Sequence, residues 1–491
     1  MIILYNPPSN AQRKPVLPMS LLALGALLEG EQAYRIVDGN LVGDTVAEVD
    51  RVVRETGADI LAVTVMPGPQ LGDAVPLCYV VKARHPHLTI VWGGYFPTQH
   101  FDVCLRSGYV DYVVCGHGEA IFKSLVDVLR RGDDPTGLPG LAFRRPGSGQ
   151  VISNPMPPIP HPNRLPDWPY HRVDAARYVR RTFMGERTLP HHSSYGCPFF
   201  CNFCAVVNMV NGRWLAQSAE RTAATVQRLV HEFGVDAVEF YDNNFFTAEA
   251  RTAEFAERVR RLGIGWWGEA RIDTLMHYSH RTWDLMRDAG LRMVFLGAES
   301  GSDDTLKRMN KGGKASTEKT LELAARMKQY GIVPEMSFVL GNPPDPDEDV
   351  RQTIEFIRKV KRVNPDVEII LYMYTPVPLA GELYEAAKAE GFLFPETLEQ
   401  WISLEWQEFS QRRSTKVPWL DDPVRRKIRD FQWVINAYYP TITDVHLSRL
   451  RRGTLRALSA WRYHLRLYGY PLELRAAHKL LAYQRPETSG F

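Results

Sequence analysis

Three cysteines lie within eight residues of this 491-residue chain, in the run Cys197-Pro198-Phe199-Phe200-Cys201-Asn202-Phe203-Cys204. Gly196 and Pro198 favour a turn, so we expect this cysteine loop to follow an extended segment, His192–Tyr195. Three thiolates at these spacings suit three corners of a [4Fe–4S] cluster, which usually takes four cysteine ligands. With three ligands, one iron is open to a substrate or cofactor. The motif therefore predicts a loop that holds a cluster at the end of a strand.

Two other uses of these cysteines remain open. A structural zinc ion needs a fourth ligand, which His191 or His192 could supply. A disulfide would leave one of the three cysteines unpaired.

The number of cysteines and the distribution of apolar residues indicate the cellular compartment. Six cysteines in 491 residues are few, which favours a reducing environment over a disulfide scaffold. The first residues have no basic segment followed by a long apolar run, and no 18 consecutive residues are apolar. We expect a cytoplasmic protein with two to four domains.

The first part of the chain, residues 1–135, alternates short apolar runs with helical patterns, which indicates a parallel sheet with crossover helices. The predicted strands are Ile2–Tyr5, Tyr34–Val37, Ile60–Val65, Thr89–Trp92 and Tyr112–Val114. Residues 136–185 are rich in proline and are interpreted as a linker that contains one small hairpin, Leu141–Arg144 with Gln150–Ser153.

Strands and helices alternate again over residues 186–400, and residues 401–491 show helical patterns only. The predicted strands are His192–Tyr195, Ala237–Tyr241, Trp266–Arg271, Met293–Leu296, Glu335–Leu340 and Glu368–Tyr372. The fold class is therefore α/β, with two successive α/β domains and a helical C-terminal region.

The cysteine loop, with Phe203 before its last cysteine, resembles the signature of the radical S-adenosylmethionine (SAM) enzymes. The resemblance covers nearly all of residues 190–385 and implies a partial (β/α)6 barrel. It also implies that Cys197, Cys201 and Cys204 hold the [4Fe–4S] cluster. Five further residues are implied to bind SAM. Asp242 would bind its ammonium group, Arg271 its carboxylate, Glu299 the ribose hydroxyls and Gly341 the adenine side, and Phe203 is the aromatic residue before the last cysteine.

Glycines at the strand ends of residues 1–135 resemble the cobalamin-binding domain of B12-dependent radical SAM proteins, a Rossmann-like fold. The implied cobalamin-binding residues are Thr64, Gly93, Gly94 and Gly116. Glycine lets a backbone approach a corrin ring closely. The chain departs from the usual Asp-x-His-x-x-Gly motif, because Asn6-Pro7-Pro8-Ser9 stands there, so cobalt should lack a histidine from this loop. The alternative is an ordinary flavodoxin-like domain, or a degenerate cobalamin-binding domain that no longer binds cobalamin.

The last 71 residues are basic, with 13 lysines and arginines against 6 acidic residues, whereas the whole chain carries +3. Aromatic residues lie among these arginines. Such helices can cover the mouth of the barrel, lie on an anionic membrane surface or stack on nucleic acid; we favour the first use, then peripheral membrane contact.

The resemblance implies a cobalamin-dependent radical SAM enzyme that methylates an unactivated carbon of a small-molecule or lipid-like substrate. Such chemistry implies an external one-electron donor of the flavodoxin or ferredoxin type. The alternative within the family is a radical cyclase or rearrangement enzyme of the magnesium-protoporphyrin ester cyclase type. Outside the family, a zinc-stabilised nucleic-acid-binding protein remains an alternative.

Overall fold

The computed structural model describes residues 1–9, 15–311, 315–379, 381–412, 416–444, 447–481 and 483. These residues form two compact units, which we call the first and the second unit. The first comprises Met1–Val179, Ala205–Gln217 and Leu393–Gln411, and the second comprises Arg180–Cys204, Ser218–Phe392 and Arg412–Phe491. The units are discontinuous in sequence, whereas the sequence-based boundaries assumed contiguous domains.

Strands and helices are numbered along the chain. The strands are β1 (Ile2–Asn6), β2 (Tyr34–Asp38), β3 (Ile60–Thr64), β4 (Thr89–Gly93), β5 (Tyr112–Val114), β6 (Leu141–Arg144), β7 (Val151–Ser153), β8 (Thr188–His191), β9 (Ser194–Gly196), β10 (Trp214–Ala216), β11 (Ala237–Phe240), β12 (Gly265–Ala270), β13 (Leu291–Glu299), β14 (Val333–Leu340) and β15 (Glu368–Met373). The helices are α1 (Met19–Leu28), α2 (Thr45–Thr56), α3 (Pro69–Arg84), α4 (Tyr95–Gln99), α5 (Phe101–Arg106), α6 (Gly118–Arg131), α7 (Val206–Val210), α8 (Ala219–Phe233), α9 (Glu249–Val259), α10 (Ile272–Met276), α11 (His280–Asp288), α12 (Asp303–Arg308), α13 (Thr317–Tyr330), α14 (Pro346–Val363), α15 (Glu382–Ala389), α16 (Leu398–Trp401), α17 (Leu404–Ser410), α18 (Asp422–Tyr438), α19 (Arg449–Leu465) and α20 (Leu472–Leu481).

The sheet of the first unit has the strand order β2-β1-β3-β4-β5-β6-β7 among the described residues. Strands β1 to β5 are parallel. Alternate residues of each strand enter two separate hydrophobic clusters: Ile3 and Tyr5 belong to one, Ile2 and Leu4 to the other. Because both faces of a parallel sheet are covered, its strands are apolar throughout, which explains the continuous apolar runs in the sequence.

The hairpin predicted within residues 136–185 is present as β6 and β7. Strand β6 pairs antiparallel with β5, and β7 pairs with β6. The hairpin therefore extends the first sheet, and Met1–Val179 belongs to one compact unit.

The second unit contains a parallel sheet with the order β15-β14-β13-β12-β11-β8 in the part of the chain that the structure describes. The order follows the sequence, as it does in an incomplete (β/α) barrel. Such a topology places the carboxyl ends of all six strands at the same edge.

The first strand of this sheet is not the one predicted. We expected His192–Tyr195, but the strand that pairs with β11 is β8, Thr188–His191. Pro190 lowers the strand propensity of this segment, and a proline is tolerated because β8 lies at the sheet edge. The prediction for β1 to β5, β11 and β12 was correct to within one residue at each end.

The chain ends in three described helices, α18 to α20, which belong to the second unit. Helices α18 and α19 pack together: the rings of Tyr438 and Tyr463 stack with their centroids 4.3 Å apart. Among the described residues, no helix has the length and apolar character needed to cross a membrane.

Candidate functional site

The cysteine loop follows β9, near the carboxyl ends of the second unit's strands. Cys201 is buried, and Cys197 and Cys204 are half-buried. Burial raises the pKa of the Cys197 thiol. Phe203 is half-buried in the same loop. The loop thus keeps two of its three thiols accessible.

Three hydrogen bonds tie the cysteine loop to the segment after α12. The Asn202 backbone N–H donates to the Met309 carbonyl at 3.2 Å, and its side-chain amide donates to the Arg308 carbonyl at 2.5 Å. The side-chain amide of Asn310 donates to the Phe200 carbonyl at 2.9 Å. These contacts hold the loop in a defined position.

Arg271 lies against the cysteine loop, although 70 residues separate it from Cys201. Its Nη1 donates to Cys201 Sγ at 3.2 Å, and its guanidinium carbon lies 3.8 Å from the Phe199 ring centroid. Asp273 accepts from Nε and Nη2 at 2.9 and 3.0 Å, which fixes the guanidinium plane. A buried cation beside a cysteine sulfur favours the thiolate form, which is the metal ligand.

Glu299 and Lys311 form a buried ion pair at 2.8 Å. Lys311 Nζ also donates to the Gly297 carbonyl at 2.5 Å, and the Lys311 carbonyl accepts from Arg271 Nη2 at 2.6 Å. Lys311 therefore links the two residues that were predicted to bind opposite parts of SAM. Glu299 has a φ of +63°, an uncommon conformation for a residue other than glycine.

Asp242 is fully buried at the end of β11 and is already engaged by the protein. Both of its carboxylate oxygens accept from the Ser193 N–H at 3.1 Å, and Oδ1 also accepts from Ser193 Oγ at 2.9 Å. Asp242 therefore ties β11 to the segment after β8. Its predicted role toward the SAM ammonium stays a prediction.

Gly341 follows β14 with a φ of +77°, so the turn requires a residue without a side chain. Its N–H donates to Asp349 Oδ2 at 3.0 Å, and its carbonyl accepts from Trp419 Nε1 at 3.0 Å. Asp349 also accepts from the Asn342 N–H, and burial raises the pKa of this carboxyl. The predicted adenine-side turn is thus held from both sides by two residues that the sequence analysis missed.

The interior face of the second sheet can be identified from strand alternation. Trp266 packs edge-to-face on an aromatic ring of α9, with the two ring centroids 5.3 Å apart. A Cβ at Gly268 would also contact side chains on this outer side of the sheet. Trp267 and Glu269, which alternate with them, therefore face the barrel interior. Trp266 therefore lies in the outer core, whereas Trp267 lies in the interior.

Carboxylates on neighbouring strands share this interior. In the strand register, Glu269 of β12 pairs with Phe295, which pairs with Glu335 of β14. Glu335 accepts from Trp267 Nε1 at 3.1 Å. Glu239 forms an ion pair with Arg180.

Glu269 differs from these neighbours, because no described residue donates a hydrogen bond to its carboxylate. It is partly accessible. Burial, together with the nearby carboxylates of Asp242 and Glu335, raises its pKa to about 8. A carboxylate without a donor in such a place can accept one from a ligand. The sequence showed only an isolated Glu269 on a predicted strand, so no local signal could have identified it.

The predicted cobalamin residues lie at the carboxyl ends of three neighbouring strands of the first unit. Thr64 ends β3, Gly93 ends β4 and Gly116 follows β5. A Cβ at Gly94, whose φ is +101°, would lie 3.3 Å from Thr64 Oγ1 and from Val65 backbone atoms. The two strand ends therefore approach as closely as they do because residue 94 is glycine.

Thr98 of α4 connects two of these loops. Its hydroxyl donates to the Gly94 carbonyl at 2.7 Å and accepts from the Gly116 N–H at 3.0 Å. Gly116 is buried with a φ of +80°. Thr98 was not among the predicted cobalamin-binding residues.

Within the described residues, no group of three or more His, Cys, Asp and Glu side chains converges to hold a single metal ion. Cys78, Cys104 and Cys115 are all buried thiols.

Two parts of the chain match known domain families. Residues 14–126 match the B12 binding domain, and residues 192–357 match the radical SAM superfamily. The chain is a B12-binding radical SAM enzyme. This assignment argues against the zinc-stabilised nucleic-acid-binding alternative and against an ordinary flavodoxin-like domain.

Relatives of this B12-binding radical SAM enzyme cover most of its length. An uncharacterised methyltransferase of Pyrococcus horikoshii is 26% identical over 83% of this chain and 86% of its own. The anaerobic magnesium-protoporphyrin IX monomethyl ester cyclase of Synechocystis is 26% identical over 76% of this chain and 74% of its own. The structure of the radical SAM methyltransferase TsrM from Kitasatospora setae, with cobalamin and a [4Fe–4S] cluster bound, superposes with a TM-score of 0.67 at 16% identity and covers 98% of each chain. That likeness confirms the predicted fold class.

The cysteine loop and the glycine-rich strand ends suit the cluster and the cobalamin that the family uses. Three cysteines, one beside a buried guanidinium, suit a thiolate-bound cluster. In the first unit, the glycine-rich strand ends leave backbone without side chains where a corrin or its tail would approach.

Gly93 offers a test of the cobalamin site that the strained Gly94 does not. A Cβ at Gly93 would meet nothing closer than 3.7 Å, so a side chain there fits the protein itself. We expect Gly93→Leu to fold normally but to bind hydroxocobalamin about 10- to 100-fold more weakly, because its side chain fills space that the ligand needs. Gly43→Leu is the matched control, since a Cβ at Gly43 would have no neighbour within 4 Å. Equal affinity of both variants, measured by spectral titration, would place cobalamin elsewhere.

Proposed function

We propose that this enzyme is a cobalamin-dependent radical SAM methyltransferase that acts on an unactivated carbon of a small molecule. The observation that carries the proposal is the cysteine loop held against Arg271 at the carboxyl ends of the second unit's strands. Relatives that are themselves named methyltransferases support methyl transfer.

In this proposal Cys197, Cys201 and Cys204 hold a [4Fe–4S] cluster. The cluster would supply the electron that cleaves SAM, and cobalamin would carry the methyl group. The protein's own contribution is to position these groups. Arg271 donates a hydrogen bond to Cys201 Sγ, and the hydrogen bonds of Asn202 and Asn310 fix the loop. We infer an external one-electron donor of the flavodoxin or ferredoxin type, because reductive cleavage consumes an electron.

The SAM site would extend over the strand ends next to this loop. Arg271 and Glu299 are held by one lysine, Lys311, which keeps a cation and a carboxylate at fixed positions. Gly341 presents backbone rather than a side chain. These are the features that would recognise a carboxylate, hydroxyl groups and a flat base.

The barrel interior supports a substrate with a hydrogen-bond donor, such as a protonated amine, over a plain hydrocarbon. Glu269 lies on the interior face of β12, two residues before Arg271, and no described residue donates a hydrogen bond to its carboxylate. Trp267 and Tyr241, 5.5 Å apart between ring centroids, provide aromatic surface beside it. A cation held by a carboxylate and flanked by aromatic faces is a favourable arrangement. Among the small-molecule or lipid-like substrates that the sequence suggested, we therefore favour those that carry a hydrogen-bond donor.

The proposed reaction is tested with SAM that carries a deuterated methyl group. Reduced, reconstituted enzyme is incubated with this SAM and cell extract, and labelled products are sought by mass spectrometry. We expect a product with an intact labelled methyl group, and equal amounts of S-adenosylhomocysteine and 5′-deoxyadenosine, since one SAM donates the methyl group and another accepts the hydrogen. Substrate-dependent 5′-deoxyadenosine without S-adenosylhomocysteine would contradict methyl transfer and support the cyclase or rearrangement alternative.

A further inference from the structure

Helix α19 exposes an apolar stripe on its outer face. The stripe consists of Leu450, Ala457, Leu458, Trp461 and Leu465, which lie on one side of the helix with a single polar residue, Thr454, among them. Four of its side chains are large, with exposed fractions of 81% for Leu450, 38% for Leu458, 46% for Trp461 and 65% for Leu465. Single exposed leucines are ordinary, but an aligned row of this kind marks an interaction surface.

The stripe is not the face that holds α19 in the fold. Leu455, Ser459 and Tyr463 point inward and are buried. Arg452 also points inward and donates to the carbonyls of Thr441 and Asp444 at 2.6 and 2.9 Å. The helix is therefore already anchored by its other side.

Arginines border the stripe on both sides. The helix contains five arginines and no acidic residue. Arg451 lies at one edge of the stripe, and Arg449 lies about a quarter turn from the other edge. Among the described residues, the guanidinium groups of Arg449 and Arg451 have no carboxylate partner. Arg456 stacks on the Tyr438 ring, 5.2 Å from its centroid.

We propose that the outer face of α19 binds the surface of an anionic lipid bilayer. An apolar row between arginines is the pattern of a helix that lies in the headgroup region with its leucines in the acyl boundary. Arginines near an anionic surface add attraction that salt weakens. The stripe has three leucines and one aromatic ring, whereas single-stranded nucleic acid binds on several stacked aromatic residues. The composition therefore favours a bilayer.

The test uses the full chain and sedimentation with vesicles. Vesicles of phosphatidylcholine with 30% phosphatidylglycerol, by moles, are compared with pure phosphatidylcholine. We expect binding to the anionic vesicles only. The double variant Arg449→Gln/Arg451→Gln should partition about 30-fold more weakly, since each arginine contributes about a factor of five. The double variant Trp461→Glu/Leu465→Glu should bind the anionic vesicles at least about tenfold more weakly.

Matched controls come from other surfaces of the chain. Arg260→Gln/Arg261→Gln removes two exposed arginines from the end of α9, and Leu404→Glu changes a leucine that is 75% exposed on α17. Both should bind anionic vesicles as the wild type does. Thermal unfolding of each variant identifies any that misfold. Arg449 and Arg451 lie on the surface, so that pair keeps the test valid even if the glutamate variant unfolds.

Several outcomes would overturn the proposal. The wild-type chain could fail to sediment with anionic vesicles, or the α19 variants could bind as well as the controls. Loss of a stable dimer in Trp461→Glu/Leu465→Glu without vesicle binding would assign the stripe to a second copy of the chain. Binding to a single-stranded RNA oligonucleotide without vesicle binding would assign it to nucleic acid. None of these results depends on the proposed methyl transfer, so the two proposals fail separately.

Discussion

Replacement of Cys197, Cys201 or Cys204 by alanine is expected to remove the cluster and to reduce SAM cleavage below about 1% of the wild-type rate. Each thiolate holds one iron, and a cluster with only two protein ligands is not retained. The change is measured as iron and sulfide per chain after anaerobic reconstitution, and as 5′-deoxyadenosine formed with dithionite.

Cys104→Ala is the matched control for these three variants. Cys104 is completely buried, and burial raises the pKa of its thiol well above the usual range, so it is a poor metal ligand. The variant should keep its iron and lose about 1 kcal/mol of unfolding free energy from the small cavity. Loss of iron in Cys104→Ala, or retention of iron in Cys201→Ala, would refute the cluster assignment.

Glu269→Gln is expected to lower kcat/KM for the substrate by about 100-fold while SAM binds normally. The amide keeps the shape of the carboxylate but loses the charge that would pair with a substrate cation, and a buried donor without its partner costs about 3 kcal/mol. Glu269→Asp should recover part of the activity. Glu254→Gln, an exposed glutamate of α9 in an ion pair with Arg258, serves as the control. Weaker SAM binding in Glu269→Gln would instead assign this carboxylate to the SAM ammonium.

The same substitution should change the pH dependence of stability. The pKa of Glu269 is raised from 4.5 to about 8 in the folded protein, so between these values the unfolded chain ionises and the folded chain does not. The free energy of unfolding therefore falls as the pH rises through this window. Glu269→Gln removes this loss, so the cofactor-free variant should exceed the wild type in free energy of unfolding by about 5 kcal/mol at pH 9 and by little at pH 5. Equal stability of the two proteins at pH 9 in urea denaturation would contradict a desolvated Glu269.

Local patterns in the sequence were sufficient for most of the strands and for the family. The apolar runs of β1 to β5 predicted a buried parallel sheet, because a strand covered on both faces has no polar side. The cysteine spacing predicted the cluster loop, since it depends on residues that are neighbours in the chain. Where a residue conflicted with the local preference, as Pro190 does in β8, the predicted strand was misplaced.

Contacts between distant segments were decided by the tertiary structure alone. Arg271 reaches Cys201 across 70 residues, and Glu269 lies with Glu335 because two intervening strand pairings set their register. The first unit also takes in Ala205–Gln217 and Leu393–Gln411, which sequence order assigns to other domains. The sequence by itself determined which residue types each strand carries and which face they occupy. Register and chain path, which arise from the packing of whole elements, decided which of those side chains meet.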